Sequence, residues 1–187
     1  MQQAMGALSR PVGMFLPTVV DFANVKTFCD VGGSAGVIAG AVKESAPHIN
    51  ALSLDLPSLT ADVSKAPQPG VQYVGGDFFE SVPPADVYSM KHILHDWPDD
   101  KCITILRNIH KAMQGDGSLI IVEAILPELG DTSSGMAKAV DLVMLNVASG
   151  KERTASEWKQ LFANGGFRVV QTIDTPNLFK IQVLKKL

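Results

Sequence analysis

From Thr27 onward the chain alternates strand-length apolar runs with amphipathic stretches, and nothing else in it restricts the fold so strongly. The pattern predicts strands over Thr27–Val31, Ala51–Asp55, Val71–Val74, Asp86–Met90 and Ser118–Val122. Between them it predicts helices over Ala35–Ser45, stopped by Pro47, over Pro57–Lys65, with proline at its first position, and over Asp99–Met113, ended by Gly115. A helix is expected over 132–147, where Ala137, Val140, Leu142, Val143, Leu145 and Val147 form a broad apolar surface. Another runs from Thr154 to Ala163, opened by the capping-box run Thr154-Ala155-Ser156-Glu157. Phe167–Ile173 and Phe179–Leu184 flank Pro176-Asn177 and read as a closing hairpin. Strands alternating with helices mean a parallel sheet covered on both faces. The expected fold is α/β: doubly wound, with a mostly parallel sheet and a C-terminal antiparallel hairpin.

With 187 residues and 46% hydrophobic content, the chain has material for one substantial core. Residues 1–26 read as a helical connection whose helix length Pro11 and Pro17 should limit, and residues 27–187 as the main domain. The opening Met1–Leu8 has helical composition with no N-cap before it, as expected if native sequence precedes it. Residues 127–135 read as a surface loop rather than a linker. A net charge of −3 and the lack of a long basic run argue against nucleic acid or an anionic membrane as partner. Apolar runs such as Leu119–Val122 are far too short to span a bilayer. No secretory signal is visible, and Cys29 and Cys102 lie in apolar settings that suit reduced core thiols. The expected location is cytoplasmic.

Phe28-Cys29-Asp30-Val31-Gly32-Gly33-Ser34-Ala35-Gly36 reads as a strand, a glycine turn and a helix start. Glycines let backbone pass close to a ligand, and a helix N-terminus offers free N–H groups to an anion. The run is neither a phosphate loop nor GxGxxG, and alone it is equally a tight strand–helix connection. Asp55 ends the next strand, roughly 20 residues on, where a carboxylate can accept both ribose hydroxyls; alone it could equally cap the Pro57 helix. Asp77 and Phe78, in Gly75-Gly76-Asp77-Phe78-Phe79, again follow a strand; they suit an adenine amino group and ring face, or else a turn with a core aromatic. Together the three strand ends favour an adenosine-containing ligand.

Val87–Asp100 reads as a buried strand running into a loop that carries His95 and Asp96, closed by Pro98. His95 by itself is either a catalytic base or a partly buried histidine at a helix entry. Glu123 directly follows the Ser118–Val122 strand, expected beside the strand that delivers His95, although a solvated strand-end acid is the plainer reading. Glu152 sits between Lys151 and Arg153 and could be an ordinary surface acid. Asp96 and Asp99 suit loop shaping and a helix start, and Trp97 suits packing by an adenine or, slightly better, sealing the core. His48, His92 and His110 have no acid partners at metal spacing, so no metal is expected.

Asp30–Gly36, Asp55-Leu56-Pro57, Gly75–Phe79, His95-Asp96-Trp97 and Gly150-Lys151-Glu152-Arg153-Thr154, in that order, resemble the motifs of the S-adenosylmethionine-dependent O-methyltransferases of the caffeate, isoflavone and acetylserotonin type. The resemblance covers the chain from about Thr27 onward. It implies that Gly32, Gly33 and Gly36 approach the methionine part of the cofactor, that Asp55 holds ribose, that Asp77 and Phe78 hold adenine, and that Lys91 lies at the cofactor. It implies His95 as general base, flanked by Glu123 and Glu152, on a small aromatic hydroxyl acceptor, with S-adenosylhomocysteine as product. Met136, Met144 and Asn146 would then lie on the helix roofing the acceptor pocket, though a stripe at helical spacing is more often core.

Two departures stand out. Ser34 occupies what is usually a third glycine, leaving the local backbone angle open. The family's long N-terminal region, used for dimerisation and for part of the pocket, is reduced here to about one helix, so a homodimer is expected of a full-length form. The acceptor is not legible. A non-catalytic S-adenosylmethionine-binding module is the alternative. A nicotinamide oxidoreductase is disfavoured, because GxGxxG and a Tyr/Lys pair are lacking.

Overall fold

The computed structural model describes residues 2–63, 67–128, 151–175 and 179–187, with side chains from Ser9 onward. The chain divides into two compact units, residues 1–89 with 112–117, and residues 90–111 with 118–187.

The first unit contains α1 (Gln2–Val19), β1 (Thr27–Val31), α2 (Val37–Ser45), β2 (Asn50–Asp55), α3 (Pro57–Val63), β3 (Val71–Gly75) and the start of β4 (Ala85–Lys91). Its strands lie in the order β3-β2-β1-β4, all parallel, with Thr27 opposite Asn50, Phe28 opposite Val87 and Asp55 opposite Gly75. The central strands are buried on both faces, as parallel strands covered by helices must be, so Phe28, Cys29 and Val31 share the core with Leu52, Leu54, Val87 and Tyr88. β3 pairs only with β2 and stays half-exposed, as suits an edge. α2 begins at Val37, two residues after the expected start, because Gly36 stands in the left-handed region at φ 69 and cannot be helical.

The expectation that Pro11 and Pro17 limit the first helix is overturned. α1 runs for 18 residues through both prolines. Each proline forfeits an intrahelical hydrogen bond, so local propensity argues for a break. Packing against α2 overrides it: Leu16 has no exposed surface, and a Cβ on Gly13 would stand 2.7 Å from Ala41 Cβ.

The second unit holds the end of β4, a 3₁₀ turn at Leu94–Asp96, most of α4 (Asp99–Ala112) and β5 (Met113–Leu126), then β6 (Arg153–Thr154), α5 (Ala155–Asn164), β7 (Phe167–Asp174) and β8 (Phe179–Lys186). β5 pairs antiparallel with β8 from Leu119↔Leu184 to Ala124↔Phe179, and β8 with β7 through a bulge between Val169 and Gln171. β6 pairs parallel with β5, setting Arg153 opposite Ile125. β5 runs beyond its predicted end at Val122, because Ile125 and Leu126 pair with Arg153 and Thr154, a partner the sequence pattern does not reveal. Trp158 and Phe162 stack at 5.4 Å on α5, and Trp158 Nε1 donates to the Ala124 carbonyl at 3.0 Å, anchoring that helix to β5.

The mixed α/β fold, mostly parallel with an antiparallel C-terminal end, is therefore the one expected. The end of the α3 helix at Lys65, the 129–135 part of the loop, the helix over 132–147 with Met136, Met144 and Asn146, and the Pro176-Asn177 turn lie outside the described residues.

Candidate active site

In the first unit, the glycine loop follows β1 and bends through left-handed backbone at Gly32 (φ 71), Ser34 (φ 47) and Gly36 (φ 69). Ser34 thus takes a glycine-like angle, which answers the question raised by its departure from the motif. The Gly32 and Gly33 N–H groups both donate to the Leu54 carbonyl, at 2.8 and 3.2 Å, and Ser34 N–H donates to Asp55 Oδ2 at 2.9 Å. The ends of β1 and β2 are tied together by these bonds. A Cβ on Gly33 would stand 2.4 Å from Ser53 Oγ and 2.8 Å from Asp30 Oδ2, both on buried side chains, so only glycine fits. Asp30 is itself pinned by the Ser89 hydroxyl at 2.5 Å. Gly36 caps α2 without a side-chain bond, leaving the first amides of that helix to an anionic ligand group.

Asp55 lies at the loop, and its Oδ1 accepts Leu56 N–H at 2.8 Å. A carboxylate has about four acceptor sites, so these two bonds leave room for ribose hydroxyls. Asp77 Oδ1 accepts Phe79 N–H at 2.8 Å, shaping its own turn, while the Phe78 and Phe79 rings meet edge-on at 4.9 Å. The turn reading of Asp77 therefore holds, and a nucleoside role would use its remaining acceptor sites. A cradle no Cβ could enter, with uncapped helix amides and two strand-end carboxylates, fits an adenosine carrying a charged tail.

In the second unit the structure brings His95, Glu123 and Glu152 together. His95 Nδ1 lies 3.0 Å from Glu152 Oε1 and 3.8 Å from Glu123 Oε2, while Nε2 lies 3.5 Å from Asp96 Oδ1. A carboxylate only accepts, so this contact favours the tautomer with the proton on Nδ1 and the basic lone pair on Nε2. Glu123 divides its work, because Oε1 accepts the N–H groups of Ile93 and Leu94, both at 2.9 Å. It thereby anchors the turn that carries His95, and Glu152 makes the nearer contact to the ring. Burial would push the His95 imidazole down; the hydrogen bond to Glu152, with the charges of Glu123, Asp96 and Glu152, outweighs it and raises the group above its ordinary value. Burial carries Glu123 up to about 7, against the pull of His95 and the two backbone donors.

Lys91 ends β4 with Nζ 3.4 Å from His92 Nδ1. Sequence reasoning gave no site role to two residues that the structure sets beside His95 and its turn. His92 stands at φ 54 with its ring 4.1 Å from Phe179 and 5.7 Å from His95. Its contact with Phe179 joins distant parts of the chain, so no local signal reveals it. Arg153 stands next to Glu152 in a Lys-Glu-Arg triplet and has no role of its own in the sequence reading, yet its side chain is fully buried. Among the described residues no group of His, Cys, Asp and Glu is placed to hold a metal ion, and no helix is long and apolar enough to cross a membrane.

The sequence model of the O-methyltransferase domain matches residues 2–168. The chain belongs to this O-methyltransferase family. It is similar to flavonoid 4'-O-methyltransferase 5 of Ocimum basilicum, 44% identical over 150 residues, covering 78% of this chain and 44% of that protein. It is likewise similar to a caffeic acid 3-O-methyltransferase of Rosa chinensis, 39% identical over 177 residues, covering 92% of this chain and 48% of that protein. The crystal structure of human N-acetylserotonin methyltransferase in complex with S-adenosylmethionine superposes with a TM-score of 0.86 at 27% identity, covering 98% of this chain and 54% of that one. This O-methyltransferase chain thus spans about half the length of the curated relatives it matches.

Proposed function

We propose that this chain carries the catalytic part of an S-adenosylmethionine-dependent O-methyltransferase acting on a hydroxyl of a small aromatic acceptor, with residues 27–187 as the catalytic domain and 1–26 as a helical connection. Relatives named for flavonoid and caffeic acid substrates support the acceptor class. The observation that carries the reading is the 3.0 Å contact between His95 Nδ1 and Glu152 Oε1, which leaves Nε2 for a substrate proton.

S-adenosylmethionine, when bound, supplies a methyl group on a sulfonium, so that the acceptor oxygen bonds to that carbon while the C–S electron pair leaves with sulfur as S-adenosylhomocysteine. Gly32, Gly33 and Gly36 admit the amino-acid tail, Asp55 accepts from the ribose, Asp77 and Phe78 receive the adenine, and Lys91 stands at the end of β4 for the cofactor. A phenol with a pKa of about 10 is mostly protonated at neutral pH, so proton removal is the contribution required of the protein. His95 Nε2 takes that proton, Glu152 holds the ring tautomer, and the carboxylates of Glu152 and Glu123 stabilise the imidazolium formed. A base of this kind contributes roughly 10²–10⁴-fold.

His95→Gln tests the assignment. Methyl transfer to a panel of phenols should be abolished, while calorimetric binding of S-adenosylmethionine stays near that of the wild-type chain. Loss of cofactor binding in the variant would sink the base assignment. Binding by the unaltered chain without turnover of any acceptor would sink the enzyme.

A further inference from the structure

We propose that Arg153 is a positioning residue for the base, one guanidinium whose hydrogen bonds hold the His95 turn and the Glu152 segment at their working separation. The proposal rests on the reading of His95 as base.

The argument starts from where the donors go. Nη1 donates to the carbonyls of Leu94 at 3.2 Å and Lys151 at 3.0 Å. Nη2 donates to the carbonyl of Trp97 at 2.9 Å and to Asp99 Oδ1 at 2.7 Å, and Nε donates to the same Oδ1 at 3.0 Å. Leu94 and Trp97 bracket His95 on either side of its turn, and Lys151 directly precedes Glu152. A single nitrogen, Nη1, therefore bridges the base segment and its acid segment. Lys151 N–H adds a bond to the His95 carbonyl at 2.8 Å across the same join.

The charge itself is not the purpose of this arrangement. Arg153 is fully buried, and its one carboxylate partner among the described residues, Asp99, is half-exposed at 55%. A buried cation is costly unless its hydrogen bonds are satisfied, and here three of its acceptors are backbone carbonyls. The plane of the group is fixed from the side by Trp158, 4.9 Å from the guanidinium carbon to the ring centroid. A flat fork of fixed donors is what such bridging needs; an ammonium keeps the charge but gathers three donors on one atom.

The consequence appears at His95. The groups facing its ring are Glu152 from the segment before β6, Glu123 from β5, Asp96 from its own turn and His92 from the end of β4. Of these, Glu152 makes the hydrogen bond, and its segment is the one Arg153 ties down. If that tie loosens, Glu152 draws away and the imidazole loses the partner that favours its charged form.

Arg153→Lys in the full chain tests this, read by NMR titration of the His95 ring, which needs no turnover. The His95 pKa should fall by roughly one pH unit as the Glu152 contact weakens. With S-adenosylmethionine and a phenol, kcat should fall about 10- to 100-fold, as for a base displaced by around an ångström, while KM for S-adenosylmethionine is unchanged. A folded variant whose His95 titrates as in the wild type overturns the proposal, whatever its kcat. If R153K does not fold, Arg153→Gln, which carries no charge to bury and cannot reach both segments with a guanidinium fork, is read by the same titration with the same two outcomes. Failure of the unaltered chain to methylate any acceptor would overturn the base reading separately, leaving the titration to decide on Arg153.

Discussion

Ser34 and His92 stand out at the scale of single residues, because among the described residues only they take left-handed backbone without being glycine, at φ 47 and φ 54. For an L-residue that conformation costs about 1–2 kcal/mol. At Ser34 the cost accompanies a bond from its N–H to Asp55, so the strained residue also orients a carboxylate assigned to ribose. Replacing Ser34 by glycine removes the steric cost and adds the entropy of a freer unfolded chain. Ser34→Gly should therefore raise the unfolding free energy by about 0.5–1 kcal/mol in urea titrations, and a lower value would refute strain at this residue. The identity of Ser34 as a departure from the glycine motif is legible in the sequence; its backbone angle is not, since the bond to Asp55 joins two strands. His92 carries its strain differently. Its Nε2 is buried without a hydrogen-bond partner among the described atoms, and burial, with Lys91 and His95 beside it, pushes the imidazole down to about 3. It stays neutral next to a ring that must become charged.

At the scale of elements, local rules succeeded where the signal is carried by neighbouring residues. β1 spans Thr27–Val31 as its apolar run predicts, and α5 opens with the capping box read from Thr154 and Glu157. Thr154 Oγ1 accepts Glu157 N–H at 3.3 Å, while Glu157 Oε2 accepts Thr154 N–H at 2.9 Å. Glu157 is also held by Lys151 at 2.8 Å, so the cap supports the residue just before Glu152. Thr154→Ala should cost about 1 kcal/mol, visible as a fall in Tm of about 2–4 °C, and an unchanged Tm would mean the cap adds nothing. Local rules failed at α1, where two prolines predict an interruption. The helix persists because its partner α2 is distant in sequence, and the close approach of Gly13 to Ala41 has no local signature.

For the whole molecule, the buried carboxyl of Glu123 links protonation to folding. Its folded pKa is raised from 4.5 to about 7, so between those values the folded chain binds more protons than the unfolded one. Stability from this group is full below pH 4.5 and is lost as pH rises towards about 7. Glu123→Gln keeps an oxygen to accept the Ile93 and Leu94 amides but cannot ionise. Across that window wild-type stability should fall relative to E123Q with a slope of at most about 1.4 kcal/mol per pH unit; parallel curves in pH-dependent denaturation would count against a raised Glu123. What the sequence determined by itself was the α/β fold, the glycine loop with its two strand-end acids, and the candidate base, because each is written in contiguous residues and in their order along the strands. Only tertiary structure decided that Glu152 rather than Glu123 makes the nearer contact to His95, that Glu123 also holds the turn, and that Arg153 is buried against that turn. Those outcomes depend on which segments meet in space. Hydrogen bonds across separations of 30 to 59 residues leave no periodic trace in the chain that makes them.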